Sequence, residues 1–259
     1  MNSAEKVILI TGASSGIGKA TAIITGKTRL PVIIAARRMD RLEQVAHEIE
    51  SAGGKVLAVQ TDIGDELQVA GMVDKALQHF GRIDVLINNA AIGLYATVDE
   101  TTPLQMEKLW RVNYMGMFYC IKHVLPVMRK QQSGQIIVVA SMSGRRGAAF
   151  KSAYCATKFA QIGFLESLRM ELINTKIKCT LVFPGGTQTE FFDVIENPGN
   201  RDVKLYGSVQ TADQVAEEIL DAIKNPRTEV ITQRLGRLQI LLNAFSPDLA
   251  DWMVGKYKK

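Results

Sequence analysis

The sequence predicts a doubly wound α/β domain, on three observations. Short β-branched runs recur from one end to the other, helical patterns separate them, and a glycine-rich turn follows the first run. The runs fall at 6–11, 31–36, 55–61, 82–87, 134–140, 177–183 and 228–232. Between them, 40–52, 65–80, 104–130, 152–174 and 211–224 carry apolar residues three and four apart, the helical period. Runs such as 7–10, 32–36 and 136–140 are apolar throughout, as strands buried on both faces are. Strands of that kind alternating with helices form a parallel sheet covered on both sides. About seven parallel strands in a Rossmann-type arrangement are expected.

Asp40 with Glu43 three residues later reads as a capping box opening a helix. With no internal repeat, low-complexity tract or linker, residues 1–232 form one domain. Residues 233–259 differ. They set Arg234, Arg237, Lys256, Lys258 and Lys259 beside Leu235, Leu238, Ile240, Leu241, Leu242, Phe245, Leu249, Trp252 and Met253. An amphipathic helix broken near Pro247 is expected, its apolar face covered by the domain, by a neighbouring subunit or by a membrane surface.

The 259 residues are 47% hydrophobic and 22% charged, the balance of an ordinary globular protein. Cys120, Cys155 and Cys179 are too few and too scattered for a disulfide framework or a zinc cluster, and read as reduced thiols of a cytoplasmic protein. The three histidines have no partner spacing, so no metal site is expected. No run reaches the length of a membrane span or of a signal-peptide core. The net charge of +5 is spread along the chain without a dense basic block, which argues against nucleic acid and suits an anionic cofactor.

The first strand runs into Thr11-Gly12-Ala13-Ser14-Ser15-Gly16-Ile17-Gly18 and a helix follows. Glycines there let backbone N–H groups approach a pyrophosphate, and the helix N-terminus adds partial positive charge. At the end of the second strand an NAD enzyme normally carries an acid for the ribose 2′-hydroxyl. Here the residues are Ala36-Arg37-Arg38. Paired guanidinium groups suit a 2′-phosphate instead.

Tyr154 and Lys158 lie four apart on the helix predicted at 152–174, so the ammonium can sit beside the phenol. A neighbouring cation moves a phenol's pKa down toward the working range of an acid–base catalyst. Ser141 ends the fifth apolar run, Asn88 and Asn89 end the fourth, and both ends belong to the carboxyl edge where open α/β sheets bind ligands. Asn113 interrupts a long helical pattern, a poor place for an amide. Cys155 points away from Tyr154 and reads as packing, and Ser143 is the bland neighbour of Ser141.

With these motifs in order (TGASSGIG at 11–18, Asp62, NNA at 88–90, Asn113, Ser141, YCATK at 154–158 and PGGTQT at 184–189), the chain resembles the short-chain dehydrogenase/reductase family over residues 5 to about 232. The resemblance implies Tyr154 as catalytic acid and base. Lys158 would lower its pKa and bind the nicotinamide ribose, Ser141 would hold the substrate oxygen, and Asn113 would position a water beside Lys158. It implies a cofactor site from Gly12, Ser14, Ser15, Gly16, Ile17, Gly18, Arg37, Arg38, Asp62, Ile63, Asn88, Asn89, Ala90, Tyr154, Lys158, Pro184, Gly185, Thr187 and Thr189. Asn88 would serve the adenosine ribose region. Ser141, Met142, Tyr154 and Gly186 would meet the substrate. Two departures stand out: Ala91 where the family usually has glycine, and Thr187 where it often has an aliphatic residue.

The expected activity is therefore hydride transfer between NADP(H) and a carbonyl or secondary alcohol, in the direction of reduction. The resemblance implies a substrate lid at 190–210, and its Phe191, Phe192, Val194, Ile195 and Tyr206, with Met142 and Phe150 opposite, suggest an apolar ketone or aldehyde. A non-catalytic NADP(H)-binding sensor or interaction protein is the rival expectation. By resemblance, pairing through 104–130 and 152–174 would give a homodimer or homotetramer.

Overall fold

The computed structural model describes residues 6–203, 208–233 and 235–256; Tyr206, Arg234, Lys258 and Lys259 lie outside the described residues, as do the side chains of 254–256. Seven parallel strands form the central sheet: β1 (Ile8–Thr11), β2 (Val32–Ala36), β3 (Val56–Gln60), β4 (Val85–Asn88), β5 (Gly134–Val139), β6 (Ile177–Phe183) and β9 (Glu229–Ile231). Each coincides with a run expected to be a strand. Their order is β3-β2-β1-β4-β5-β6-β9. The chain thus lays strands outward from β1 in one direction, then returns to lay β4 on β1's other side. That reversal opens a crevice at the carboxyl ends of β1 and β4, where ligands of such sheets bind.

Period-two alternation along each strand divides the core into two layers. Leu9, Ile33, Leu86, Ile136 and Val138 pack under α3 (Glu66–Phe80), α5 (Gly116–Gln131) and α6 (Ser152–Glu171). Ile8, Ile10, Ile34, Val85 and Ile137 pack under α1 (Gly16–Lys27), α2 (Met39–Ser51) and α7 (Ala212–Lys224).

Three expectations need correction. The helix expected at 104–130 is broken: α4 (Pro103–Leu109) and α5 are joined by a π-helical turn, Trp110–Met115, that contains Asn113. A wide turn of this kind carries an extra residue and turns main-chain groups out of the α pattern. Asp40 is not a cap. Arg38 occupies the N-cap of α2 without a side-chain bond, and Asp40 lies inside the first turn, where its charge suits the helix dipole. True capping boxes open α4, through Thr102 and Gln105, and α7, through Thr211 and Gln214. The third correction is an addition: a two-residue parallel pair, β7 (Thr187–Gln188) with β8 (Gln210–Thr211), ties the ends of the lid segment together.

The last segment forms α8 (Gly236–Phe245) and α9 (Pro247–Lys256), broken at Pro247 as expected. Arg146 holds both: its guanidinium donates to Asn243 Oδ1 at 2.6 Å and to Asp251 Oδ1 at 2.5 Å. Gly236 packs against Ile231 and Met142 so closely that a Cβ there would lie 2.5 Å from Ile231 Cγ2. The outer face remains apolar and open, with Phe245 86% and Trp252 57% exposed. Among the described residues, no helix is long and apolar enough to cross a membrane.

With one guanidinium bridging to both helices, Arg146→Ala should raise deuterium uptake across 236–253 and leave the sheet's protection unchanged. Unaltered exchange in α8 and α9 would show that apolar packing alone holds them.

Candidate active site

A cleft of about 1900 Å³ runs along the carboxyl edge of the sheet. Its phosphate end is built by main chain. Gly12 (φ +66°) and Gly16 (φ +54°) take left-handed conformations that side chains resist. A Cβ on Gly12 would lie 2.7 Å from Ala90 Cα, and one on Gly18 would lie 2.3 Å from the carbonyl oxygen of Gly12. Gly18 therefore packs the helix onto the turn and does not line the cleft. Ser15 is the N-cap of α1 but makes no side-chain cap bond. First-turn N–H groups left without such a partner suit a phosphate.

Arg38 reaches over this turn, its Nη2 donating to Ser14 Oγ at 3.3 Å and Ser15 Oγ at 3.4 Å. Arg37 is exposed beside it, and both line the cleft with Asp62 and Ile63. Asp62 Oδ1 accepts from Gly64 N at 2.9 Å, which fixes the loop. The strand ends are stitched by Thr11, whose hydroxyl accepts from Asn89 N and Ala90 N and donates to Ile87 O.

The two asparagines part company. Asn89 lines the cleft and its amide donates to Thr11 O and Gly12 O. Asn88 is buried within the body, neither of its amide atoms has a partner, and it does not reach the cleft, contrary to the expected ribose role. Consecutive strand residues point to opposite faces, so only one of a pair can face a given ligand. Ala91 has an ordinary negative φ, so its backbone conformation does not require glycine.

Tyr154, Lys158, Ser141 and Met142 come together on the cleft wall, with Pro184, Gly185, Gly186, Thr187 and Thr189 along its floor. Thr187 is buried and donates to Gly185 O, a turn-fixing bond. Ser141 Oγ accepts from Ser143 N at 3.1 Å, and its hydroxyl also bonds Tyr154. The Ser143 hydroxyl serves Cys155, whose buried thiol is pushed up in pKa and so stays neutral. This division of labour favours Ser141 over its neighbour.

Lys158 is only 2% exposed. Its ammonium donates to Val139 O at 3.0 Å and to Gln161 Oε1 at 3.1 Å. Gln161 in turn donates to the main-chain oxygen of Asn113, and the Asn113 amide bonds Ile92 main chain and Thr157 Oγ1. Sequence reasoning missed Gln161. Its signal was available, since it lies three residues after Lys158 on the same helical face. Asn113 itself does not line the cleft; it acts through this chain of bonds.

Burial pushes the Lys158 ammonium down to about 7, and pushes the Tyr154 phenol up, an effect that a hydrogen bond with Ser141 partly offsets. The expected lowering of Tyr154 by Lys158 is not seen in the protein alone. The ammonium lies 5.7 Å from the centre of the tyrosine ring, and desolvation outweighs its field. Tyr154 therefore stands as a protonated phenol.

Such a fold and site define an oxidoreductase built on a nucleotide-binding sheet. The family profile for short chain dehydrogenase matches residues 6–198, and the chain belongs to that family. The chain is 36% identical over 239 residues to the NADP-dependent 3-hydroxy acid dehydrogenase of Schizosaccharomyces pombe, covering 89% of this chain and 91% of that one. It is 32% identical over 255 residues to a ketoacyl reductase of Nostoc, covering 95% and 87%. A short chain dehydrogenase/reductase from Burkholderia phymatum, solved in complex with NAD, superposes with a TM-score of 0.85 at 25% identity and 94% coverage of each chain. The family binds NAD(P)(H), and the glycine turn, the bare helix N-terminus and the lysine–tyrosine pair fit such a dinucleotide.

Because the folded lysine binds its proton less tightly than the unfolded one, the unfolded chain holds more protons between pH 7 and 10.5. Its burial cost is fully present below pH 7 and relieved as pH rises. From pH 7 to 9 the stability of the wild type measured in urea should rise by about 2 kcal/mol relative to Lys158→Met. A constant difference between the two would mean the lysine stays fully charged in the fold.

Proposed function

We propose that the protein uses NADP(H) to interconvert a carbonyl compound and its secondary alcohol, chiefly in the direction of reduction, with Tyr154 as acid and base. The observation that carries this reading is the assembly of Ser141, Tyr154 and a buried Lys158 on one wall of the dinucleotide cleft. The cofactor, when bound, supplies the hydride. The chain's own residues handle the oxygen and the proton. Ser141, its oxygen already satisfied by Ser143 N, donates to the carbonyl oxygen and fixes it beside Tyr154. Tyr154, held protonated by burial, gives its phenolic proton to that oxygen as negative charge develops there. Lys158 has three donors, two of which are taken by Val139 and Gln161. The third is left to orient the ribose and to favour the phenolate once the proton has moved. The occurrence of Asn113, Ser141, Tyr154 and Lys158 together supports an enzyme over a cofactor sensor, which has no use for the set.

Arg37 and Arg38 support a preference for the 2′-phosphorylated cofactor, since no acid stands at position 36 to accept from a free 2′-hydroxyl. The Schizosaccharomyces pombe relative is named for NADP dependence and for a 3-hydroxy acid, the Nostoc relative for a ketoacyl group. Phe191 lies against Tyr154 with ring centres 5.9 Å apart, and with Val194 and Ile195 gives the substrate space an apolar lid. A cytoplasmic homo-oligomer is the setting we propose; the exposed Phe159 and Met170 on α6 support pairing through that helix.

NADPH should bind about tenfold or more tightly than NADH, the worth of one charged hydrogen bond, and Arg38→Ala should remove most of that gap. Equal affinities in the unmodified protein, read from NAD(P)H fluorescence, would refute the assignment. Tyr154→Phe should leave NADPH binding intact and lower turnover by ~10²–10⁴-fold on any carbonyl substrate. Near-full activity in that variant would place the acid elsewhere.

A further inference from the structure

The cleft holds a cation that the reaction as described does not use. Lys151 lies at the N-cap of α6, three residues before Tyr154, and lines the cleft beside it. The other charges on the wall are accounted for. Arg146 pairs with Asp251, Glu190 with Arg41, and Arg37 and Arg38 stand at the phosphate turn. Among the described residues no carboxylate pairs with Lys151. Its ammonium sits between two aromatic rings, 5.7 Å from the centre of Tyr95 and 5.8 Å from that of Phe192. Ring faces attract a cation without neutralising it. A half-buried ammonium with no anion is an unfavourable arrangement, and burial indeed pushes this lysine down from its ordinary range.

The backbone beside it is held in a costly conformation. Phe150 has φ +64°, a left-handed geometry that a bulky residue rarely takes. Its carbonyl accepts from Ala96 N at 2.8 Å, and Arg201, anchored by Glu100, lies 4.9 Å over its ring. Strain kept in place by several independent contacts is characteristic of ligand-facing segments. Here it aims the next residue, Lys151, into the cleft.

We propose that Lys151 binds the carboxylate of the substrate, and that the substrates are 3-oxo acids and 3-hydroxy acids taken as free acids. This rests on the hydride-transfer reading and narrows its substrate class. Three residues along a helix advance about 4.5 Å. A carbonyl oxygen held by Tyr154 and Ser141 thus leaves a carboxylate two carbons away within reach of the cation one turn earlier. A carrier-bound thioester has no charge at the carboxyl carbon, and its phosphate lies at the far end of a long arm, away from a cation beside the reacting carbonyl. Tyr95 and Phe192 shield the ion pair from water, and the lid residues contact the aliphatic remainder.

Two measurements on the NADPH-loaded protein test this. By calorimetry, hexanoate should bind about tenfold or more tightly than hexanamide, Lys151→Met should erase the difference, and Lys151→Arg should retain it. In turnover, 3-oxohexanoate should be preferred over its methyl ester and its N-acetylcysteamine thioester. Lys151→Met should lower kcat/KM for the acid about tenfold or more while leaving both neutral compounds within about twofold. Equal binding of hexanoate and hexanamide overturns the proposal, as does equal loss on acid, ester and thioester, which would make Lys151 structural. If no carbonyl compound is reduced, the hydride-transfer reading falls, and the calorimetric comparison still decides whether Lys151 is a carboxylate site.

Discussion

The site depends on keeping one ammonium almost dry. Burying an unpaired cation is costly enough that the fold must either satisfy it or let it lose its proton. Lys158 shows both responses: two acceptors, Val139 O and Gln161 Oε1, and a pKa drawn down to about 7. Each acceptor fixes a larger element. Val139 is the last residue of β5, so its carbonyl is available only because the strand ends there. Gln161 is on α6, and its other end is bonded to Asn113 in the π-helical turn. That oxygen belongs to the π-helical turn, whose main-chain groups lie out of the α pattern. Strand end, helix face and π turn are thereby locked together around a single nitrogen.

The sheet was legible because every central strand is apolar on both faces and every helix between them has one apolar stripe. Residues such as Ile8 and Leu9 need no distant partner to declare themselves. Spacing could place the glycine turn, Ser141, Tyr154 and Lys158 at strand ends and on one helix face, and the roles expected of them came from the resemblance to the family. What sequence could not show depends on three-dimensional competition. Asp40 has the composition of a cap, but Arg38, drawn to Ser14 and Ser15, starts the helix two residues earlier. Asn88 and Asn89 are identical in sequence terms, and only the strand end shows that Asn88 stays in the body of β4 while Asn89, just past it, lines the cleft. Lys151 was invisible because what sets it apart is the lack of a carboxylate partner among the described residues and two rings contributed from residues 56 and 41 positions away in opposite senses along the chain.

The two halves of the cleft are built by different physics. The phosphate end uses main-chain N–H groups, left-handed glycines and the crevice between β1 and β4, all inside the sheet's rigid frame. Beside that main-chain frame stand the side chains of Arg37 and Arg38. The substrate end is assembled from segments far apart in the chain: the strained Phe150–Lys151 step, the lid closed by β7 and β8, and the helices α8 and α9 tethered by Arg146. Leu238, Leu242 and Met253 from the last two helices line the same cleft as Tyr154. The C-terminal segment, which sequence alone leaves as an appendage, thus forms one wall of the chamber while keeping Phe245 and Trp252 on its outer face.

That division explains why reaction class and substrate differ so much in legibility. In the reaction proposed, moving a hydride and a proton uses an oxygen, a phenol and an ammonium held together at the sheet edge and on one helix, the most rigid part of the fold. Recognising a particular substrate requires charges and apolar faces placed on elements with no register to one another. Those placements are held by a few side-chain bonds outside the core, Arg146 to Asn243 and Asp251 and Arg201 to both carboxylate oxygens of Glu100. They can change without disturbing the core. In the reading proposed, the chemistry rests on the rigid frame of the fold, whereas the choice of substrate rests on a handful of side chains, Lys151 among them.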